Sequence, residues 1–207
     1  MGGIYSMENQ LKALFGAWIQ AIGTVTAAVG SSPSLSEDVQ DSLSLWGNAL
    51  QGTGNALIAD SEEGFSLEKL GNEVQAIGNT TVIAGLLLNV SEENKLKLDI
   101  NGNLLQAVGG GIALPDDLVD EPSAIRTLNI AGNVLQIIGN SLQARGGMIE
   151  LKDNRKQQDK YKGYRESNES QEISYSDSIN INGSWIQAVG SVISAIAQTM
   201  ENKENNK

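Results

Sequence analysis

Residues 102–109 read GNLLQAVG, and the same phrase returns at five other places in the chain. The other copies are GAWIQAIG at 16–23, GNALQGTG at 47–54, GNEVQAIG at 71–78, GNVLQIIG at 132–139 and GSWIQAVG at 183–190. In every copy a glutamine follows the first glycine by four residues, and a second glycine follows it by seven. Agreement at three positions in six copies indicates an internal repeat.

The apolar residues around this phrase have helical spacing. In the fourth copy Leu105, Val108 and Ile112 stand three, six and ten residues after the first glycine. Intervals of three and four residues place side chains on one side of an α-helix, whereas a strand would alternate every second residue. The copies begin 31, 24, 31, 30 and 51 residues apart, which suits one helix of about twenty residues and a short connection per copy.

The sequence therefore predicts an all-α fold, a single domain of six repeated glycine-spaced helices packed as a bundle or helical array. At 207 residues the chain is long enough for one domain with a sizeable core. All three prolines are expected between repeats, where a missing N–H interrupts no helix, and the acidic run 115–121 is expected to start a helix. The repeats are predicted near residues 10–30, 37–59, 66–90, 95–114, 123–147 and 176–200.

The repeated glycines and glutamine are predicted to form one narrow seam along each helix. At about 100° per residue, the three positions project at about 0°, 40° and 340° around the helix axis. Glycine in a helix costs about 1 kcal/mol relative to alanine, so its repeated use favours close helix packing. We expect the glutamines to hydrogen-bond between helices, and half-exposed glutamines are the alternative. The predicted seam consists of Gly16, Gln20, Gly23, Gly47, Gln51, Gly54, Gly71, Gln75, Gly78, Gly102, Gln106, Gly109, Gly132, Gln136, Gly139, Gly183, Gln187 and Gly190.

Beside the seam runs a stripe of small polar residues, and the rest of each helix is mostly apolar. This distribution predicts helices that are surrounded on several sides. Apolar residues make up 40% of the chain but aromatic residues only 4%. The expected core is therefore built from Ala, Val, Ile, Leu and Gly in close contact.

A charged segment interrupts the pattern before the sixth copy. Residues 145–172 hold 13 of the 39 charged residues, including seven of the 14 lysines and arginines. Mixed charge without periodicity predicts a flexible insertion over residues 148–175. A docking site for a partner is the alternative for this segment.

The composition excludes several chemistries. The chain has no cysteine and no histidine, which removes thiolate zinc sites and the most common general base and metal ligand. Carboxylates cluster only in predicted linkers, so no acid with a pKa raised by burial is expected. No residue pattern indicates a catalytic, metal or cofactor site, and we expect no enzyme and no cofactor. The net charge of −11 argues against a nucleic-acid partner.

The first twelve residues, MGGIYSMENQLK, lack the basic region and long apolar stretch of a secretory signal. A cytoplasmic location is therefore expected, with membrane association as the alternative. The phrase G-N-x-L-Q-x-I-G-N resembles an uncharacterised family of repetitive proteins from spore-forming Gram-positive bacteria. The resemblance covers residues 10 to 200 apart from the charged insertion. Because that family has no assigned activity, the resemblance implies no functional residues.

Two functional hypotheses fit this sequence. The first is a structural, self-associating helical array, in which exposed copies of the seam at the ends of the stack pair with other chains. The first and sixth copies carry Trp18 and Trp185 rather than polar caps, so these copies are expected to meet each other or a partner.

The second hypothesis is a membrane-active, pore-forming or membrane-inserting protein. The uncharged stretches 13–36, 74–91 and 178–200 are long enough to span a bilayer. An enzyme or a small-ligand carrier with a pocket between helices is a third alternative, but the sequence identifies no residue that would form such a site.

Overall fold

The computed structural model describes residues 7–119, 123–160 and 173–206, and these residues form six α-helices with no strand among them. The predicted all-α class is therefore confirmed. The helices are α1 (Met7–Gly30), α2 (Glu37–Ser61), α3 (Leu67–Leu87), α4 (Glu92–Val119), α5 (Ala124–Lys160) and α6 (Tyr175–Asn205).

The six helices form a closed ring. Each helix packs against its neighbours in chain order, and α6 packs against α1. The closest packing joins α1 to α2, α3 to α4 and α5 to α6, so the ring consists of three helical hairpins. The first and sixth repeats thus meet each other.

Small and polar side chains fill the inside of the ring. Of the thirteen buried apolar residues in the described part of the chain, ten are alanines, and the other three are Val82, Ile100 and Ile125. The buried polar residues are glutamines, asparagines, serines and threonines. The predicted core is therefore confirmed for Ala, Val, Ile and Gly, whereas no leucine is fully buried among the described residues.

Large apolar side chains lie on the outside of the ring. The residues six positions after the first glycine include Ile22, Ile77 and Val108, which are 55%, 58% and 55% exposed. The prediction of helices surrounded on several sides is therefore wrong. Because the ring is one helix thick, every helix has an outer face that is exposed, even where the side chains on that face are apolar.

Helix α4 continues through Pro115 to Val119, although Pro115 was expected between repeats and the following acids at a helix start. Proline removes one N–H and crowds the carbonyl four residues earlier, which here belongs to Gly111. Both residues are exposed, so water can hydrogen-bond the Gly111 carbonyl. Pro33 lies between α1 and α2, and Pro122 lies outside the described residues.

Residues 148–160 extend α5, whereas the sequence predicts a flexible insertion over 148–175. Their Lys, Arg, Glu and Gln residues are good helix formers. Arg155 Nη2 also lies 2.6 Å from Glu93 Oε1 and ties this extension to α4. The middle of the predicted insertion, residues 161–172, lies outside the described residues.

Candidate functional site

The seam glycines lie at the three hairpin interfaces. A Cβ atom built on Gly23 would lie 2.6 Å from the carbonyl oxygen of Gly47, and one built on Gly139 would lie 2.6 Å from that of Gly183. Every seam glycine has such a partner: the remaining pairs are Gly16 with Gly54, Gly71 with Gly109, Gly78 with Gly102 and Gly132 with Gly190. In each hairpin the first glycine of one helix meets the second of the other, so the two helices are antiparallel.

This arrangement leaves no seam free for another chain. A closed ring has no end repeats, and the glycines of all six copies already pair within the chain. The expectation that exposed seams at the ends of a stack join different chains is therefore wrong.

The six seam glutamines are buried inside the ring, each between 2% and 7% exposed. Gln187 Nε2 donates hydrogen bonds to Gln51 Oε1 at 2.8 Å and Gln106 Oε1 at 3.2 Å. Its Oε1 accepts one from Gln143 Nε2 at 2.9 Å. These bonds connect α6 with α2, α4 and α5 across the inside of the ring.

A second amide contact crosses the ring from Gln20 Nε2 on α1 to Gln136 Oε1 on α5, at 3.0 Å. The Gln136 amide also donates to Ser194 Oγ at 3.3 Å. At the equivalent position of α3, the described residues offer the Gln75 side chain no hydrogen-bond partner. The amide network is therefore uneven around the ring.

A polar cavity of about 540 Å³ lies on one side of the amide network. All six helices contribute to its wall, and Gln51, Gln106 and Gln187 lie where it meets the network. Five acidic residues line it: Glu37, Asp41, Asp99, Glu150 and Asp177. Within the described part of the chain, no lysine or arginine lines this cavity.

Two of these carboxyl groups have raised pKa values. Burial raises the pKa of Asp99 to about 6, and the negative charge of Glu150 adds to this rise, while a hydrogen bond with Asn103 opposes it. Burial and the charge of Asp177 raise the pKa of Glu150. The cavity thus holds like charges in an environment that disfavours them.

The bases near this end of the ring pair with other acids. Lys97 Nζ and Arg155 Nη2 lie 2.8 and 2.6 Å from Glu93 Oε1, and their hydrogen bonds lower the pKa of Glu93 to about 2. Lys95 Nζ lies 2.7 Å from Glu92 Oε1. Lys95 also lies near the cavity carboxylates Glu37 and Asp41, whose charges help to raise its pKa.

These cavity acids were not predicted from the sequence, from which no carboxyl group with a pKa raised by burial was expected. Asp99 stands three residues before Gly102, as Ser44 does before Gly47, and both line the cavity. This position lies about one helical turn before the first seam glycine. Its spacing from the seam could therefore have identified Asp99 as a cavity residue. The repeated phrase does not predict the position of Glu150, because this residue lies after the fifth copy.

Large apolar side chains form an exposed surface on α1 and α6, which we call the terminal-helix face. Each is between 37% and 64% exposed. Beneath them Ala17, Ala21 and Ala195 pack together, and Trp18 Nε1 donates a hydrogen bond of 3.0 Å to Thr199 Oγ1. The face consists of Leu11, Phe15, Trp18, Ile22, Val25 and Val29 of α1 and Trp185, Val189, Ile196 and Met200 of α6.

An apolar groove of about 640 Å³ continues this face toward α2 and is lined by Leu14, Phe15 and Leu57, among others. The other helices also expose large apolar residues, among them Trp46 of α2, Ile77 of α3 and Val108 of α4. They expose charged residues as well, such as Glu73 of α3 and Arg145 of α5. Apolar side chains are therefore exposed around the ring, and the terminal-helix face is the part of this surface that α1 and α6 form.

Two further properties bear on function. Among the described helices, α1 is the one with the length and hydropathy to cross a membrane, and 44% of its most apolar window is buried in the ring. No group of three or more carboxylates in the described ranges is placed to hold a metal ion.

Comparison with curated proteins finds no match for this chain, and comparison with solved structures finds none either. A family model described as "Family of unknown function (DUF6944)" matches residues 11–195, which include all six glycine–glutamine repeats. The match covers most of the ring, so the chain belongs to this family of unknown function.

Proposed function

We propose that this protein is a non-catalytic structural protein that associates with a second copy of itself through the terminal-helix face. The size of the exposed apolar surface carries the proposal. Ten side chains that each expose roughly 100 Å² make a patch on the order of 1,000 Å². The largest apolar patch on a typical monomer is about 300–600 Å², whereas a stable interface buries about 800 Å² per partner.

The chemistry of the face supports burial against protein. The stretches 13–36 and 178–200, which hold most of it, carry no charged residue, so a partner would desolvate no ion there. The Trp18 indole N–H already has a partner in Thr199 and would not be left unsatisfied. Exposed aromatic side chains such as Phe15 and Trp185 are typical anchors of protein interfaces.

Membrane association is the second candidate, and the hydropathy of α1 favours it. Three observations weigh against this candidate. Lipid that surrounded the ring would bury the exposed charges of Glu73 and Arg145, and moving these charges into lipid costs free energy. The net charge of −11 opposes binding to anionic lipid, and α1 and α6 carry only Lys12 and Lys203 as bases for contact with lipid headgroups.

A pair of matched double variants tests the proposal. Ile22→Gln with Val189→Gln places two amides on the terminal-helix face. Ile77→Gln with Val108→Gln changes residues of similar exposure on α3 and α4. Molar mass by light scattering is measured for both variants and the unchanged protein, with and without liposomes.

The unchanged protein and the α3–α4 variant are expected to have about twice the 21.9 kDa mass of the chain. The terminal-helix variant is expected to be a monomer, because each amide would cost about 1–3 kcal/mol to bury without a partner. A monomeric unchanged protein that sediments with liposomes would favour the membrane function. Equal effects of the two variants would contradict the assignment of the face.

A further inference from the structure

The outer side of α1 carries a continuous stripe of large apolar side chains. Between residues 11 and 30, every exposed residue belongs to this stripe. Its members follow one another at alternating intervals of four and three residues. At about 100° per residue they lie within about 80° of one another around the helix axis, on the side opposite the seam glycines. This set, which we call the α1 stripe, consists of Leu11, Phe15, Trp18, Ile22, Val25 and Val29.

The α1 stripe has the spacing of a coiled coil. Alternating intervals of three and four apolar residues allow the side chains of one helix to pack between those of a second helix. Within the chain α1 packs against α2 and α6, and neither helix covers the stripe. The stripe is therefore suited to one further helix.

The equivalent outer positions of the other helices are less suited to such packing. On α4 the last two are Gly111 and Pro115, which offer small side chains. On α6 one of them, Val192, packs against the buried alanines of the terminal helices. On α2, α3 and α5 they include exposed polar or charged residues, namely Thr53, Asp60, Glu73, Thr80, Ser141 and Arg145.

The α1 stripe is complementary in size to a second copy of itself in the antiparallel direction. Its first half consists of leucine, phenylalanine and tryptophan, and its second half of isoleucine and two valines. Antiparallel packing places the large half of one copy against the smaller half of the other, which helps to fill space evenly. When Trp18 faces Ile22 of the second copy, Phe15 faces Val25 and Leu11 faces Val29, so that all six members are paired.

The charges near the stripe also favour the antiparallel direction. Glu8 lies three residues before Leu11 and is exposed, so it continues the spacing of the stripe. Parallel helices would place Glu8 against Glu8 of the second copy, and the two like charges would repel each other. In the antiparallel register Glu8 lies near Ser32 of the second copy. The N-terminus of each α1 then lies near the C-terminus of the other, which the helix dipoles favour.

We propose that two copies of the chain associate with their α1 helices antiparallel, in the register in which Trp18 of one copy faces Ile22 of the other. This proposal rests on self-association through the terminal-helix face and names the helix at the centre of that contact. A two-fold axis repeats each contact, because the same surface of both copies takes part. The apolar area on the order of 1,000 Å² on this face exceeds the roughly 800 Å² that a stable interface buries on each partner.

Disulfide cross-linking of the full chain tests the direction and the register. The chain has no cysteine, so Phe15→Cys with Val25→Cys introduces the only two thiols. They lie about 15 Å apart along one helix, too far to join within a chain. With oxidised glutathione, this variant is expected to shift from 21.9 kDa to about twice that mass on a non-reducing gel. Leu11→Cys with Val29→Cys leaves both aromatic side chains in place and is expected to give the same shift.

Two control variants distinguish this arrangement from its alternatives. Phe15→Cys alone is expected to keep the mass of one chain, because antiparallel packing holds the two thiols about 15 Å apart. A covalent dimer of this variant would indicate parallel helices. Trp18→Cys with Val29→Cys is matched to an antiparallel pair shifted by seven residues, and is also expected to keep the mass of one chain.

The molar mass of the unchanged protein in solution separates this proposal from the one on which it rests. A monomer by light scattering would overturn both. A dimer in which neither of the two predicted cysteine pairs cross-links would overturn the α1 pairing alone. Cross-linking of either control to the same extent as the predicted pairs would also overturn it. All substituted residues are exposed, and circular dichroism verifies that each variant keeps the helical fold.

Discussion

Gly54 and Gly16 meet through their backbones: a Cβ on Gly54 would lie 2.5 Å from the Gly16 carbonyl oxygen, and one on Gly16 would lie 2.7 Å from the Gly54 carbonyl oxygen. Because the contact is reciprocal, both residues must lack a side chain. This packing accounts for glycine at two positions where it would otherwise weaken a helix by about 1 kcal/mol each.

The first prediction concerns these contacts. Gly54→Ala is expected to lower the free energy of unfolding by about 1–3 kcal/mol, because the new methyl group would force the two backbones apart. Gly111→Ala is the control, since nothing lies within 4 Å of a Cβ at that helical position. It is expected to raise the free energy of unfolding by about 0.5–1 kcal/mol. Urea unfolding followed by circular dichroism measures both, and equal values for the two variants would refute the packing role.

The second prediction concerns the buried amide network. Gln187→Leu removes the partner of Gln51, Gln106 and Gln143. We expect a loss of about 2–4 kcal/mol, because unsatisfied buried polar groups cost about 1–3 kcal/mol each. Gln75→Leu changes the same repeat position without breaking a side-chain hydrogen bond among the described residues and is expected to cost less than about 1 kcal/mol. A larger loss for Gln75→Leu would show that the network does not stabilise the ring.

The third prediction is an unusual pH dependence of stability. Asp99 has a pKa of about 6 in the folded protein against an ordinary value of 3.8, so the folded state binds more protons between these values. Stability is therefore expected to rise as pH falls from 7 to about 4. Glu93 acts in the opposite direction, because its folded pKa of about 2 lies below the ordinary 4.5. Its contribution is lost as pH falls from about 4.5 to about 2.

Thermal unfolding between pH 3 and pH 8 measures this dependence. The melting temperature is expected to be highest near pH 4–5 and about 2–4 °C lower at pH 7. Asp99→Asn is expected to raise the melting temperature at pH 7 and to flatten the change between pH 5 and pH 7. A melting temperature that falls steadily from pH 7 to pH 5 would contradict the burial of Asp99.

The helices were predictable from the sequence because the seam glycines require both a helix and a second backbone packed closely against that helix. Gly71 and Gly78 weaken a helix unless another backbone packs against them, so their spacing predicts both a helix and an interface. The partner of each seam could not be predicted, because the six copies have the same pattern and fit one another equally well. The interval of 31 residues between Gly16 and Gly47, and again between Gly71 and Gly102, marks the hairpins only once the structure is known.

The outer surface was not predictable by the usual rule that large apolar residues are buried. Ile22 and Val189 are apolar and lie on helical stripes, which favours burial, yet both are about half exposed in the ring. The seam places small and polar residues inside, so the larger side chains can only point outward. Asp99 was missed for a related reason, since its partial burial arises from the helices around the cavity rather than from its neighbours in sequence.

The contact between Thr24 of α1 and Ser191 of α6, whose hydroxyl groups hydrogen-bond, allows a direct test of ring closure. The chain has no cysteine, so Thr24→Cys with Ser191→Cys introduces the only two thiols. The closed ring predicts that mild oxidation forms one disulfide within each chain. Monomeric chains are separated from cross-linked chains, and the disulfide is detected by mass spectrometry of a protease digest. Free thiols after oxidation, or disulfides formed only between chains, would contradict a ring closed by α1 and α6.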